Sequence, residues 1–91
     1  MNLFIQLPFN PMQSFIYKSL KKDYLYLYLV NRDDFSKVPE ELLNNFGKLE
    51  FVMELALTED KKLAKEDAKK VIESLNTKGF FIQLPPQKEM Q

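Results

Sequence analysis

The stretch from Tyr24 to Val30 constrains the fold more than any other part of this sequence. Tyrosine and leucine alternate through it without a break, and the row ends in a valine. Successive side chains of a β-strand point to opposite faces, so the three tyrosines share one face and the three leucines share the other. We expect the leucine face to be buried, whereas the tyrosine face is either covered or open. The sequence therefore predicts a strand that forms the centre of a hairpin.

The segment before it supplies the other half of that hairpin. Residues 14–18 alternate as a strand, with Phe15 and Tyr17 on one face and Ile16 on the other. The polar run at residues 20–23 is long enough for the connecting turn of an antiparallel pair. We therefore expect two neighbouring antiparallel strands near the start of the domain.

Two helices are indicated by their end signals. In the first, Pro39 suits the first helical position, acidic side chains follow it, and Gly47 suits the left-handed residue that ends a helix. The second spans about residues 65–78, where the apolar spacing changes to a helical period. Its predicted buried stripe consists of Ala64, Ala68, Val71, Ile72 and Leu75.

Two further strands complete the set. Residues 48–57 alternate, and we expect one inward face made of Leu49, Phe51, Met53, Leu55 and Leu57. Residues 80–84 form a short last strand that ends at Pro85-Pro86. The order is ββαβαβ. It predicts an α+β fold, a two-layer α/β sandwich with a four-stranded, mainly antiparallel or mixed sheet and two helices on one face.

The domain boundaries follow from the same pattern. We expect one domain over residues 12–86, an N-terminal extension over residues 1–11 and a C-terminal tail over residues 87–91. The sequence Phe4–Pro8 recurs unchanged as Phe81–Pro85. That recurrence is either a coincidence of the extension or the mark of a strand at residues 3–7 that adds to a sheet edge. Apart from such edge pairing, we expect a monomer.

Composition narrows the chemistry mainly by exclusion. The sequence has neither histidine nor cysteine, which removes the commonest general base, thiol chemistry and the commonest zinc ligands. Basic and acidic residues balance at thirteen each, so no overall charge attracts nucleic acid or a membrane. No apolar stretch approaches the length of a membrane span. We therefore expect a cytoplasmic protein that is not an enzyme and uses no cofactor or metal.

Several segments together resemble a known family. They are Tyr26–Tyr28, Asp33–Leu43, Phe46-Gly47 and Gly79–Pro86. The chain is similar over about residues 12–86 to the YcgL family, small bacterial proteins of unassigned function. The resemblance implies a compact α/β fold in a cytoplasmic protein and places residues 1–11 outside the usual domain start. It brings no catalytic or binding residues to this chain.

The tyrosine face is the first candidate for function. Tyr24, Tyr26 and Tyr28 beside Lys18 have the composition of a stacking platform for single-stranded nucleic acid. The simpler interpretation is that tyrosine is a good strand residue whose ring is half-buried. We also expect two glutamates, at positions 50 and 54, to share this face and to repel phosphates.

The loop before the first helix is the second candidate. Asp33 and Asp34, near two glutamates, could hold a divalent cation, but capping and turn roles explain them more simply. Phe35 and Pro39 either form a knob that docks on a partner or staple the loop to the core. We predict a non-enzymatic protein-interaction module with an unidentified protein partner. The alternative is an accessory protein that binds single-stranded RNA or DNA. The predicted surface comprises Lys18, Tyr24, Tyr26, Tyr28, Asp33, Asp34, Phe35 and Pro39.

Overall fold

A computed structural model describes residues 11–61, 63 and 66–86. Its elements are β1 (Met12–Ser19), β2 (Tyr26–Leu29), α1 (Glu40–Phe46), β3 (Leu49–Leu57), α2 (Ala68–Thr77) and β4 (Phe80–Gln83). The strands form one sheet in the order β3-β1-β2-β4, and every neighbouring pair is antiparallel. The predicted α+β fold, with a four-stranded antiparallel sheet and two helices in the order ββαβαβ, is confirmed. None of the described helices is long and apolar enough to cross a membrane.

Some predictions lie outside the described residues. They concern the strand at residues 3–7, the tail at residues 87–91, and the first residues of the second helix, including Ala64. Within the described part, α2 begins at Ala68, and Asp67 is its N-cap, since the Asp67 side chain accepts a hydrogen bond from the Lys69 N–H at 3.0 Å. That bond satisfies a backbone donor that the helix itself leaves free.

The β1–β2 hairpin is built as the alternation predicts, with a shorter second strand. Tyr24 has a left-handed φ of +65°, which ends the extended backbone on that side, so β2 starts at Tyr26. The Ser19 N–H closes the hairpin by donating to the Leu25 carbonyl at 2.9 Å. The leucine face is buried, as expected, and it consists of Leu25, Leu27 and Leu29.

The two helices lie on opposite faces of the sheet, which corrects the prediction that both cover one face. On the first face Phe46 of α1 packs with Leu27 and the other leucines of β2. On the second face Val71 and Leu75 of α2 pack with Tyr28 of β2. Because both faces of β2 are covered, the molecule has three layers, with the sheet in the middle. The physical reason is that the inner strands are apolar on both faces.

A β-bulge in β3 corrects a second expectation. Tyr17 of β1 pairs with Phe51, but the next residue, Ile16, pairs with Met53, so Val52 is an extra residue. The bulge moves the following side chains to the other face. Leu49 and Phe51 therefore pack on the α1 side, whereas Leu55 and Leu57 pack on the α2 side. The five apolar residues of this strand do not form one inward face.

The ends of α1 differ slightly from the expected positions. Pro39 is the N-cap rather than the first helical residue, and its carbonyl accepts the N–H groups of Leu42 and Leu43. Gly47 has a φ of +67° and donates to the last carbonyls of the helix. A side chain there would strain the backbone and contact the stem of Lys21 at 3.1 Å, so glycine is required.

Candidate functional site

A row of side chains crosses all four strands on the α2 face, beyond the part that α2 covers. Cross-strand pairing places Glu50, Lys18, Tyr26 and Gln83 side by side in the order of the strands. Glu50 and Lys18 are exposed, and Tyr26 and Gln83 are half-buried. We call these four residues the open row.

Next to the open row, the mouth of the hairpin forms a cleft of about 300 Å³. Lys18 and Tyr26 of the open row form one side of it, and Ser19, Asp23 and Tyr24 form the rest. We call it the hairpin cleft. The three predicted site residues Lys18, Tyr24 and Tyr26 therefore come together in the structure.

Ser19 holds the wall of the hairpin cleft in place. Its Oγ donates to the Phe46 carbonyl at 2.6 Å and accepts the N–H groups of Lys21 and Lys22 at 3.1 and 3.0 Å. One buried hydroxyl thus ties the hairpin turn to the C-terminal end of α1. Because the turn is fixed at three points, the side chains that follow it are presented in one geometry.

Tyr24 is the most unusual residue of the cleft. Its φ of +65° lies in the left-handed region, which costs a bulky residue about 1–2 kcal/mol. The residue is nevertheless 66% exposed, so burial does not offset that cost. Strained backbone of this kind is often found at functional sites. The fold therefore holds an aromatic ring in solvent, at the mouth of a cleft, in a conformation that glycine would adopt more easily.

Tyr28 does not belong to this surface, which corrects its place among the predicted contact residues. It is only 5% exposed, beneath α2, and its hydroxyl donates to Gln83 Oε1 at 2.9 Å. Its ring meets Phe81 edge to face at 5.6 Å between centroids. Burial, followed by the nearby charge of Glu66, raises the pKa of Tyr28. Only Tyr24 and Tyr26 of the tyrosine row are accessible.

The two glutamates expected on the tyrosine face are separated by the bulge. Glu50 lies there, and its Oε1 is 3.4 Å from Lys18 Nζ. Glu54 pairs with Phe15 and therefore faces the α1 side of the sheet. The lysine of the open row thus has a carboxylate beside it, which reduces its attraction for phosphate.

Asp33 and Asp34 have separate local partners instead of one shared cation site. The Tyr17 hydroxyl donates to Asp33 Oδ1 at 2.7 Å and accepts the Asp33 N–H at 2.6 Å. Asp34 Oδ1 accepts the N–H and hydroxyl of Ser36, which lowers the pKa of Asp34. Among the described residues, no three acidic side chains converge where a metal ion would bind. The arrangement is that of a turn fastened to β1.

Phe35 and Pro39 lie on the same loop, on the α1 side of the sheet. Phe35 is half-buried and meets Tyr17 edge to face at 5.1 Å, so it staples the loop to the core. Pro39 is exposed at the start of α1. Neither residue lines the hairpin cleft.

The Tyr17–Asp33 contact makes stability depend on pH in the alkaline range. Burial, then the hydrogen bond to Asp33, raises the pKa of Tyr17 above 10.0, so the unfolded chain loses this proton first. The stabilisation is complete below about pH 10 and is lost as pH rises through the folded-state pKa. We expect Tyr17→Phe to lower the free energy of unfolding by about 1–3 kcal/mol at pH 7, because the Asp33 N–H loses its acceptor.

Urea unfolding between pH 7 and 11 measures both effects. The Tyr17→Phe protein should lose less further stability above pH 10 than the wild type does. Tyr24→Phe removes an exposed hydroxyl and is the matched control, expected to follow the wild-type curve. Parallel pH curves for Tyr17→Phe and the wild type would show that the contact does not contribute.

Glu50, expected on this face from the sequence, lies in the site, and Gln83, Ser19 and Asp23, which the sequence pattern does not identify, complete it. Gln83 joins the open row only through the pairing of β2 with β4, whose paired residues are 51 or more positions apart along the chain. Knowledge of the strand order would have placed Gln83 in this row. Ser19 has a local signal, since a serine at a strand end often accepts turn N–H groups.

Comparison with known proteins finds sequence similarity over most of the described domain. The family model described as the YcgL domain matches residues 14–86. A YcgL domain-containing protein of Yersinia pestis is 53% identical over 74 residues, which are 81% of this chain and 82% of that protein. A protein of the same description from Yersinia pseudotuberculosis gives the same values. A YcgL domain-containing protein of Proteus mirabilis is 47% identical over 74 residues, 81% of this chain and 76% of the relative.

Proposed function

The chain belongs to the YcgL family, and we propose that it is a non-enzymatic, cytoplasmic protein-interaction module. Its contact surface is the hairpin cleft together with the open row. The observation that carries the proposal is Tyr24, an aromatic residue that is 66% exposed and has a strained, left-handed backbone. Tyrosine is among the residues that contribute most to binding at protein interfaces, because its ring offers a large area with few torsions to fix.

The groups nearest to catalytic chemistry have structural partners, which supports a binding role. Ser19 Oγ and Ser14 Oγ donate to backbone carbonyls, so neither is paired with a base. The carboxylates of Asp33 and Asp34 accept hydrogen bonds from Tyr17 and Ser36. Each raised or lowered pKa in this region follows from such a local bond or from burial. No nucleophile and base are brought within reach of each other among them.

The charges around the cleft indicate the chemistry of the partner. Lys18 is paired with Glu50, and the remaining exposed lysines, Lys21 and Lys22, outnumber Asp23 near the hairpin turn. An apolar side chain that stacks on Tyr24, next to a carboxylate, complements this combination. We therefore propose a protein partner with an acidic segment that contains an apolar residue.

The alternative, binding of single-stranded RNA or DNA, has weaker support. With Tyr28 buried, two tyrosine rings are available instead of three. Glu50 lies 3.4 Å from the lysine that would meet a phosphate. This alternative predicts salt-dependent binding of single strands that is weakened by Tyr26→Ala. Absence of single-strand binding at low salt would exclude it.

Replacement of Tyr24 by glycine separates binding from stability. Glycine accepts the left-handed φ without strain but is more flexible in the unfolded chain, so the free energy of unfolding should stay constant or rise by up to about 1 kcal/mol. Loss of a tyrosine contact should weaken partner binding by about 1–3 kcal/mol, roughly 5- to 150-fold. We expect a protein at least as stable as the wild type that no longer retains its partner.

The measurement has two stages. Tagged wild-type chain captures its partner from the bacterial extract, and the purified partner is then titrated with wild type, Tyr24→Gly and Leu84→Ala. Leu84 is 65% exposed but lies outside the cleft, so its truncation controls for loss of an exposed apolar side chain. A stoichiometric partner that binds Tyr24→Gly as well as the wild type, or the absence of any stoichiometric partner, contradicts the proposal.

A further inference from the structure

The strand β4 has a near-copy of its sequence at the other end of the chain. Residues 3–8 (Leu-Phe-Ile-Gln-Leu-Pro) match residues 80–85 at five of six positions, and the sixth pairs leucine with phenylalanine. The later copy contains the whole of β4. We propose that residues 3–8 of one molecule take the place of β4 beside β2 in a second molecule, forming a strand-exchanged dimer.

The first copy carries the apolar groups that β4 uses on the α1 face. Phe80 and Ile82 of β4 pack against the core on that side. The corresponding residues are Leu3 and Ile5, which alternate in the same way and are also large and apolar. The α1 face of the exchanged strand would therefore be filled with side chains of the same kind.

The match extends to the α2 face, where the contacts are more specific. Phe81 meets the Tyr28 ring edge to face, and Gln83 Oε1 accepts the Tyr28 hydroxyl at 2.9 Å. Phe4 and Gln6 occupy the corresponding positions in the first copy. Each specific contact of β4 with Tyr28 thus has an identical counterpart in residues 3–8.

The position of β4 makes such an exchange practicable. It is a four-residue strand at the edge of the described sheet, half-buried along its whole length, and β2 is its only neighbour among the described strands. An edge strand has a neighbour on one side only, so a strand of another chain can replace or extend it.

Chain direction shows why the exchange needs a second molecule. If residues 3–8 took the place of β4 in their own molecule, Gln6 would lie beside Tyr26, which is level with Lys18. From Gln6 the chain would then have to reach Met12, which lies at the other end of β1. These points are about 22 Å apart, from six residues of rise and two strand spacings. Six residues extend about 20–22 Å at most, which leaves no length for a path around the sheet, and the direct line runs through β1 and β2. The segment therefore cannot fill this place in its own molecule.

The population of the dimer follows from a competition between two nearly identical strands. The covalently attached β4 acts at an effective concentration on the order of 1 mM. If both strands bind β2 equally, the exchanged fraction is about 1% at 10 µM chain and approaches half at 1 mM. The exchanged dimer is then a minor species in dilute solution that increases about in proportion to concentration.

Disulfide trapping tests this register, because the chain contains no cysteine of its own. Full-length Gln6→Cys protein is mixed with full-length Tyr26→Cys protein and oxidised, and the mixed disulfide is quantified by mass spectrometry. The proposal places these two residues opposite each other. Lys18→Cys is the matched control, since Lys18 lies in the same row one strand farther away. Circular dichroism confirms that each variant is folded.

We expect the Gln6–Tyr26 disulfide to exceed the Gln6–Lys18 disulfide about tenfold and to increase with protein concentration. Adding Ile5→Asp to the Gln6→Cys protein should reduce the yield to the control level. Adding Asn2→Asp, which introduces the same charge outside the matching segment, should leave the yield unchanged. Equal yields for Tyr26→Cys and Lys18→Cys, or a yield that Ile5→Asp does not lower, would overturn the proposal.

Discussion

Replacement of Leu27 by alanine is expected to lower the free energy of unfolding by about 2–5 kcal/mol. Leu27 is fully buried in β2, between Tyr17 of β1 and Ile82 of β4 in the cross-strand register. Truncation removes buried methyl groups and leaves a cavity that these neighbours, fixed in the sheet, fill only in part. A small domain is stable by about 5–15 kcal/mol, so this substitution removes a large part of the total.

Chemical denaturation of the wild type and the variant measures the difference. Leu84→Ala makes the same chemical change at a position that is 65% exposed, and we expect it to alter stability by less than about 0.5 kcal/mol. A Leu27→Ala protein as stable as the Leu84→Ala protein would show that the leucine face is not the core. The ratio of the two effects therefore tests the alternation from which the fold was predicted.

The hairpin could be predicted because its determinants are local. Alternation over Tyr24–Val30 fixes which side chains share a face, and the polar turn before it fixes the antiparallel pairing. The structure shortens β2 at Tyr24, since the turn closes through the Leu25 carbonyl and leaves Tyr24 in a left-handed conformation. The sequence carries no sign of that conformation, because tyrosine rarely adopts it.

The side on which each helix packs could not be predicted in the same way. An amphipathic stripe shows that a helix is covered but not which face of the sheet covers it. A sequence signal was nevertheless present, since Phe15, Ile16 and Tyr17 form a run of consecutive apolar residues in β1. Such a run is typical of a strand that is buried on both faces. The covering of Tyr28 by α2 follows from that arrangement.

The candidate site was predictable for its hairpin residues and, from the alternation in β3, for the face on which Glu50 lies. Lys18, Tyr24 and Tyr26 come from one hairpin and line one cleft. Glu50 and Gln83 reach the open row through pairings with β3 and β4, which depend on strand order. Strand order is set by long-range packing rather than by local periodicity, so one sequence without homologues does not determine it.

The second large effect on stability is expected from the bulge in β3. Two single-residue deletions in this strand test it. Deletion of Val52 removes the extra residue and leaves Phe51 opposite Tyr17 and Met53 opposite Ile16. Each side chain keeps its face, so we expect the stability to change by about 1 kcal/mol or less. Deletion of Ala56 shortens the same strand by one residue but should cost about 2–5 kcal/mol.

The larger cost arises because every way of absorbing the Ala56 deletion misplaces a side chain. If the residues of β3 that precede position 56 keep their partners in β1, Leu57, which is 1% exposed, moves to the opposite face and Thr58 takes its place. If the bulge is removed instead, Leu57 stays but Glu54 moves to the α2 face, where Leu55 packs. Thermal or urea unfolding of the two deletion proteins distinguishes the cases. Equal loss of stability in both would contradict the bulge, because a regular strand with one inward face is shifted out of phase by either deletion.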